Sequence, residues 1–166
     1  RIKNEMVPGV EGGVTVHHPS NKQMSIFDAA MQYEKTNTPL VVFGGKEYGT
    51  GSSRDWAAKG TLLLGVKAVI AESVERIHRS NLIGMGVLPL QFPEGVTLPS
   101  LSLSGDEEVD IIGLQQKPSP KQALQLVVKR EGKELHRVDV IARLDTAMEI
   151  EYYLAGGILP YVLEQL

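Results

Sequence analysis

Three short apolar segments, separated by stretches of helical pattern, constrain the fold of this chain more than any other feature. The segments are Leu40–Phe43, Val66–Ala71 and Val87–Phe92, and each has the length of a buried strand. The stretches between them, from about Ser53 to Leu64 and from Val74 to about Ile83, have helical patterns. Strands that alternate with helices in this way pair in parallel, with the helices packed on the sheet.

The two ends of the chain add other elements to this core. Residues 1–24 are rich in glycine, proline and polar side chains and predict an irregular segment. Ser25 and Ser73 are in position to cap the two helices that follow them. The second half contains three strand patterns, at Val109–Leu114, Ala123–Lys129 and Leu135–Arg143, and the last two are separated by a hairpin turn at Glu131-Gly132-Lys133. The capping box Thr146-x-x-Glu149 begins a closing helix, which is interrupted at Gly156-Gly157 and continues over Ile158–Leu166. We therefore predict one α/β domain over residues 1–166, with a mainly parallel central sheet, additional strands and a C-terminal helix.

The composition excludes several classes of protein. The 166 residues include 17 Lys and Arg against 20 Asp and Glu, which excludes a strongly basic nucleic-acid module. There is no cysteine, so the chain itself has no disulfide, thiolate metal site or iron–sulfur ligand. No apolar run approaches the roughly 18 residues of a membrane span and no signal peptide is visible, which fits a cytoplasmic location. Because the chain opens with Arg1, we expect it to be a fragment of a larger protein.

The loop after the first apolar strand carries the most informative chemistry. It reads Tyr48-Gly-Thr-Gly-Ser-Ser-Arg-Asp-Trp56 and precedes a helix, at the carboxyl end of a strand, where open α/β sheets bind ligands. Its glycines allow close backbone approach, and a helix N-terminus attracts anions. The Arg54 guanidinium binds a carboxylate or phosphate through two hydrogen bonds, and the hydroxyls of Ser52 and Ser53 donate further ones. The loop therefore predicts an anion site.

The pattern excludes the common nucleotide-binding loops. Gly49-Thr-Gly51 begins like a dinucleotide fingerprint, and Glu72 follows at the end of the next strand. The third glycine of that fingerprint would fall at Arg54, whose side chain would prevent the close contact between helix and strand. A phosphate-binding P-loop also needs a Gly-Lys-Ser/Thr sequence, which this loop lacks. The simpler alternative, a serine helix cap beside a solvent-facing arginine, remains open at this point.

Two longer segments resemble a known family. EYGTGSSRDWAAKG and AVIAESVERIHRSNLIGMGVLPLQF are similar to the C-terminal swivelling domain of the aconitase family. The resemblance is strongest to the branch of aconitase A and the iron regulatory proteins, and it extends from Arg1 to Leu166. The Gly-Ser-Ser-Arg loop occurs across the wider hydro-lyase family, whereas the Asp-Trp-Ala-Ala-Lys-Gly continuation is typical of this branch.

The resemblance implies a reaction and roles for the loop residues. Family members interconvert citrate and isocitrate through cis-aconitate, a step of the tricarboxylic acid cycle. By resemblance, Ser52 is the catalytic base, Arg54 binds a substrate carboxylate, and Ser53 and Gly51 support substrate binding. A [4Fe–4S] cluster acts as Lewis acid and is bound by other domains. The implied partners are therefore a tricarboxylate, the remaining aconitase domains and, for the apo form, RNA. The isolated chain is expected to be inactive.

Two relatives and one further activity remain as alternatives. An iron–sulfur 2-methylcitrate dehydratase has the same scaffold, and the loop does not distinguish a substrate with one extra methyl group. A separate isopropylmalate isomerase small subunit is disfavoured by the Asp-Trp continuation and by the long second half. RNA binding is the alternative from another class, and the net charge of −3 disfavours it as the main activity.

The remaining candidates are mostly structural. Arg76, Arg79 and Asn81 are candidate contacts to substrate or RNA by family resemblance, whereas His78 is predicted to be structural. The pair His17-His18 has no third ligand at a recognisable spacing, which favours a surface loop over a metal site. Trp56 and the leucines at positions 62–64 are predicted to lie in the core.

Overall fold

A six-stranded sheet with both parallel and antiparallel strands dominates the structure. The computed structural model describes residues 14–17, 20, 22–36, 38–49, 60–97, 99–103, 107–114 and 117–165. The strands are β1 (Val14–His17), β2 (Lys22–Ser25), β3 (Leu40–Gly44), β4 (Val66–Ala71), β5 (Leu88–Gln91), β6 (Glu108–Ile112), β7 (Ala123–Arg130) and β8 (Lys133–Ala142). The helices are α1 (Ile26–Lys35), α2 (Arg76–Gly84), α3 (Ala147–Ala155) and α4 (Ile158–Glu164), with a short 3-10 helix at Pro99–Leu101.

The sheet has the order β3-β4-β5-β8-β7-β6. Strands β3, β4 and β5 pair in parallel, as the alternation of strands and helices predicts. Strand β8 then pairs antiparallel with β5, and β7 and β6 extend the sheet antiparallel. The predicted fold class is confirmed, and the additional strands of the second half complete the same sheet.

Both faces of the parallel strands are covered. On one face Ala68 and Ile70 of β4 belong to the large core, which includes Leu90 of β5 and inward-facing residues of β7 and β8. On the other face Val66 and Val69 form a smaller cluster with residues of and around α2. Strands buried on both faces have nearly continuous apolar sequences, which is why β4 was readable from the sequence alone.

The capping and turn signals of the second half are confirmed. The Thr146 hydroxyl accepts a hydrogen bond from the Glu149 N–H and begins α3, which ends at Gly156 with a φ of 93°. The turn between β7 and β8 consists of Glu131 and Gly132, both with positive φ. A two-residue turn of this kind matches the twist of the strands that it joins.

Three local predictions are wrong. The segment before α1 contains the antiparallel pair β1–β2, whose few residues carry too weak a pattern to stand out from their polar neighbours. The helix after β4 is capped by Glu75 and not by Ser73, whose hydroxyl accepts a hydrogen bond from the Glu47 N–H instead. Within the leucine stripe, Leu62 and Leu64 pack against the smaller core cluster as predicted, but Leu63 is 67% exposed. Of the predicted helix that contains them, residues 60–63 are helical, and Trp56 lies outside the described residues.

Candidate functional site

The first part of the loop leaves the carboxyl end of β3 and is tied to the segment that follows β4. The N–H of Tyr48 donates to the carbonyl of Ser73 at 2.9 Å, and the Tyr48 carbonyl accepts from the N–H of Glu75 at 2.9 Å. The Glu47 N–H donates to the Ser73 hydroxyl at 2.7 Å. The loop therefore begins on a fixed support at the ligand-binding edge of the parallel strands.

The same segment supplies the N-cap of α2. Both carboxylate oxygens of Glu75 accept hydrogen bonds from the first turn, at 3.0 Å from the Ile77 N–H and 2.7 Å from the His78 N–H. These two backbone hydrogen bonds lower the pKa of Glu75, and the one from His78 has the larger effect. A charged cap at this position satisfies two N–H groups of the helix end and places a negative charge beside it.

His78 lies directly beneath the start of the loop. Its side chain is buried, and its ring packs against Tyr48 with 5.5 Å between ring centroids. A Cβ added to Gly49 would lie 2.4 Å from Cγ and Cδ2 of His78, so the glycine permits a contact that no other residue could make. Burial lowers the pKa of His78 despite the opposing charge of Glu75, and it raises the pKa of Tyr48. The Tyr48 and His78 side chains are therefore uncharged at neutral pH, whereas the Glu75 carboxylate close to them is negative.

The four predicted residues of the anion site follow immediately after this support. Gly51, Ser52, Ser53 and Arg54 lie outside the described residues, so their roles remain predictions.

The three candidate contact residues of α2 differ in exposure. Arg76 is exposed and Asn81 is half-buried. Arg79 is buried, and its Nη1 donates to the carbonyl of Arg143 at 2.9 Å and to Glu149 Oε1 at 3.0 Å. The guanidinium of Arg79 thus makes contacts inside the domain, between α2 and the connection from β8 to α3.

A second arginine and a carboxylate complete this network. Arg143 Nη2 lies 3.1 Å from Oδ2 of Asp145, which is also 3.7 Å from Arg79 Nε. Burial would raise the pKa of Asp145, but the hydrogen bond from Arg143 and the charge of Arg79 outweigh that effect and lower it. The sequence analysis did not identify this network, because its partners are 64 and 70 residues from Arg79 along the chain.

The histidine pair His17-His18 is only partly described by the structure. His17 lies in β1, where its Nδ1 is 2.6 Å from the Ser20 hydroxyl, and His18 is outside the described residues. In the part of the chain that the structure describes, no group of three His, Cys, Asp or Glu side chains could hold a metal ion. No helix within the same ranges is long and apolar enough to span a membrane.

A family model covers the segment that contains the loop and α2. The family model described as "Aconitase C-terminal domain" matches residues 1–95, which include β3, β4, the loop and α2. The chain belongs to this family. The predicted resemblance to the aconitase C-terminal domain is thereby confirmed, although the match does not test the role of any single residue.

Curated relatives extend the similarity over the whole chain. This aconitase C-terminal domain is 56% identical over 166 residues to "Aconitate hydratase A" of Legionella pneumophila and 58% identical to that of Pseudomonas aeruginosa. It is 55% identical to "Aconitate hydratase A" of Escherichia coli. Each comparison covers 100% of this chain but 18% of the relative. The chain therefore spans about a fifth of the length of these relatives.

A solved structure has the same fold. The crystal structure of 3-isopropylmalate dehydratase (leuD) from Methanocaldococcus jannaschii superposes with a TM-score of 0.54 at 23% identity, covering 89% of this chain and 83% of the other. At that identity the likeness concerns the fold alone. The aconitase C-terminal domain thus shares its architecture with a protein that is little longer than itself.

Proposed function

We propose that this chain is the C-terminal domain of an iron–sulfur hydro-lyase that interconverts citrate and isocitrate through cis-aconitate in the cytoplasm. In this proposal the domain contributes Ser52 as the base and Arg54 as the ligand of a substrate carboxylate. Ser53 and Gly51 support substrate binding. The proposed partners are the tricarboxylate and the remaining domains of the enzyme.

The observation that carries the proposal is the attachment of the loop. The chain leaves the carboxyl end of β3 and is held by Ser73 and Glu75 before it reaches the Gly-Ser-Ser-Arg sequence. A loop at this edge of a parallel sheet faces the crevice where α/β proteins bind ligands. Together with family membership and relatives named aconitate hydratase, this supports a carboxylate site at Ser52–Arg54.

The chemistry requires a strong stabilising environment for Ser52. An alcohol holds its proton far above neutral pH, so a serine acts as a base only where its oxyanion is stabilised. The stabilisers available in this chain are the loop N–H groups and the Arg54 guanidinium. The Tyr48 and His78 side chains beside the start of the loop are uncharged at neutral pH, and the Glu75 carboxylate that caps α2 is a negative charge close to them. In the proposed reaction Ser52 accepts the proton that leaves the substrate carbon, and Arg54 holds the carboxylate that fixes this carbon in place.

The cluster is assigned to other parts of the enzyme. The chain has no cysteine, and its described residues contain no set of side chains suited to a metal. The residues present therefore do not fit a [4Fe–4S] cluster, and no step of this domain is derived through it. Of the three candidate contacts to substrate or RNA, Arg79 contacts Arg143 and Glu149 within the domain, whereas Arg76 and Asn81 remain candidates.

Three variants of the whole enzyme with matched cluster content test the assignment. We expect Ser52→Ala to lower kcat by about 10²–10⁴-fold with little change in KM, because a general base acts in the transition state. Arg54→Lys should raise KM and lower kcat, since an ammonium cannot bind a carboxylate through two parallel hydrogen bonds. Ser53→Ala should have a milder effect, worth about 0.5–1.5 kcal/mol. Rates are measured with citrate, isocitrate and 2-methylcitrate, so that the alternative substrate is tested in the same assay.

The simpler alternative predicts another pattern. If Ser52 or Ser53 acts as a helix cap, the serine variants lower the melting temperature by an amount equivalent to about 1 kcal/mol and leave the kinetics intact. A Ser52→Ala enzyme with near-normal turnover would refute the base assignment.

A further inference from the structure

The strongest unassigned feature is the contact between His78 and Gly49. The residue His78 is 3% exposed, and its Nδ1 has no hydrogen-bond partner among the described residues. The backbone of Gly49 passes so close to the ring that an added Cβ would lie 2.4 Å from Cγ and Cδ2. Gly49 also has a φ of 96°, a conformation that favours glycine.

This contact lies where the described part of the loop ends. Before Gly49, the chain is fixed by hydrogen bonds from Glu47 and Tyr48 to Ser73. After Gly49, Thr50 and Gly51 lead to Ser52. The ring of His78 is itself held in place, because its backbone N–H is bound by Glu75 and its side chain packs on Tyr48. A change in the ring would therefore be transmitted to the backbone just before the proposed base.

We infer that His78 is a positioning residue, whose ring supports the backbone of Gly49 and thereby fixes the loop that carries Ser52 and Arg54. This inference rests on the proposed function of the loop. The role is one of shape, because the atoms nearest to Gly49 are ring carbons. A leucine side chain retains carbon atoms in similar places, whereas alanine leaves the space under Gly49 empty.

The test compares His78→Ala and His78→Leu in the whole enzyme with matched cluster content. We expect His78→Ala to lower kcat by about 10- to 100-fold, because small displacements of a catalytic group have effects of this size. KM should rise at the same time, since Arg54 is on the same loop. His78→Leu should keep kcat and KM close to the wild-type values. Amide hydrogen exchange of the peptides that cover residues 47–56 should become faster in His78→Ala and stay unchanged in His78→Leu.

A second histidine provides a matched control. His136 lies in β8 and its Nε2 is 2.7 Å from the carbonyl of Leu101, within the antiparallel part of the sheet. His136→Ala should lower the melting temperature without changing kcat, KM or exchange in residues 47–56. If His78→Ala does not fold, His78→Val tests the same contact, because its shorter side chain also removes ring carbons from beneath Gly49. It should produce the loss of kcat and the rise of KM expected for His78→Ala.

The outcomes separate this inference from the proposed function. Equal losses in His78→Leu and His78→Ala would overturn the packing role, and so would wild-type kinetics and exchange in His78→Ala. A wild-type enzyme without activity on citrate, or a fully active Ser52→Ala, would refute the proposed function instead. In that case the exchange data still decide whether His78 holds the loop.

Discussion

The parallel and antiparallel parts of the sheet differ in how their strands are connected. Strands β7 and β8 are joined by the two-residue turn at Glu131 and Gly132, so the chain returns at once and leaves no gap between them. Strands β3, β4 and β5 are parallel, so the chain must leave the sheet at each carboxyl end and cross over it. Those crossings provide the loop and α2, which explains why the candidate site belongs to the parallel part.

The two parts are connected by charged side chains as well as by strand pairing. Strands β5 and β8 have two paired positions, Leu90 with Ala142 and Gln91 with Ile141. Arg79 of α2 adds hydrogen bonds to Arg143 and Glu149 on the antiparallel side. These contacts of Arg79 thus reinforce the short strand pairing between β5 and β8.

The largest expected effect is the complete loss of enzyme activity when this domain is separated from the rest of the enzyme. We expect the 166-residue chain to fold by itself, because its large core is enclosed by its own strands, and to have no turnover of citrate, isocitrate or cis-aconitate. Circular dichroism and a cooperative urea transition test folding, and an activity assay after iron and sulfide reconstitution tests turnover. Activity of this chain alone would contradict the proposal that other domains supply the rest of the active site.

Breaking the connection between the two parts should have the next largest effect. We expect Arg79→Met to lower the free energy of unfolding by about 3 kcal/mol, because a partly buried carboxylate loses its partner. Arg76→Met, on the exposed side of the same helix, is the matched control and should have little effect on stability. Urea unfolding of the isolated chain gives both values. A stable Arg79→Met chain would show that strand pairing alone holds the two parts together.

A smaller effect should appear in the pH dependence of stability. The pKa of His78 is lowered in the folded state by burial, so the unfolded chain binds more protons once the pH falls below about 6.5. The stability that the neutral ring provides is present above this pH and is lost as the pH falls through the folded-state pKa. Between about pH 7.5 and 5.5, the wild-type chain should therefore lose more stability than His78→Leu. Parallel slopes in urea unfolding would contradict this prediction.

Much of the fold was predictable because its signals are local. The apolar sequence of β4, the Thr146 cap and the turn at Glu131 and Gly132 each depend on a few neighbouring residues, and all are confirmed. The prediction failed where two local signals competed. Ser73 is a common capping residue, but its hydroxyl binds the Glu47 N–H, and Glu75 caps α2 in its place.

The sequence by itself determined the family and the parallel pairing of β3, β4 and β5, since these depend on short motifs and on periodicity, and it is the source of the proposal for the anion site. Only the tertiary structure decided what the residues around that site contact. It packs His78 against Gly49, 29 positions earlier, and joins Arg79 to Glu149, 70 positions later. Such contacts depend on how the strands and helices pack together, and no pattern within one element specifies a partner in another.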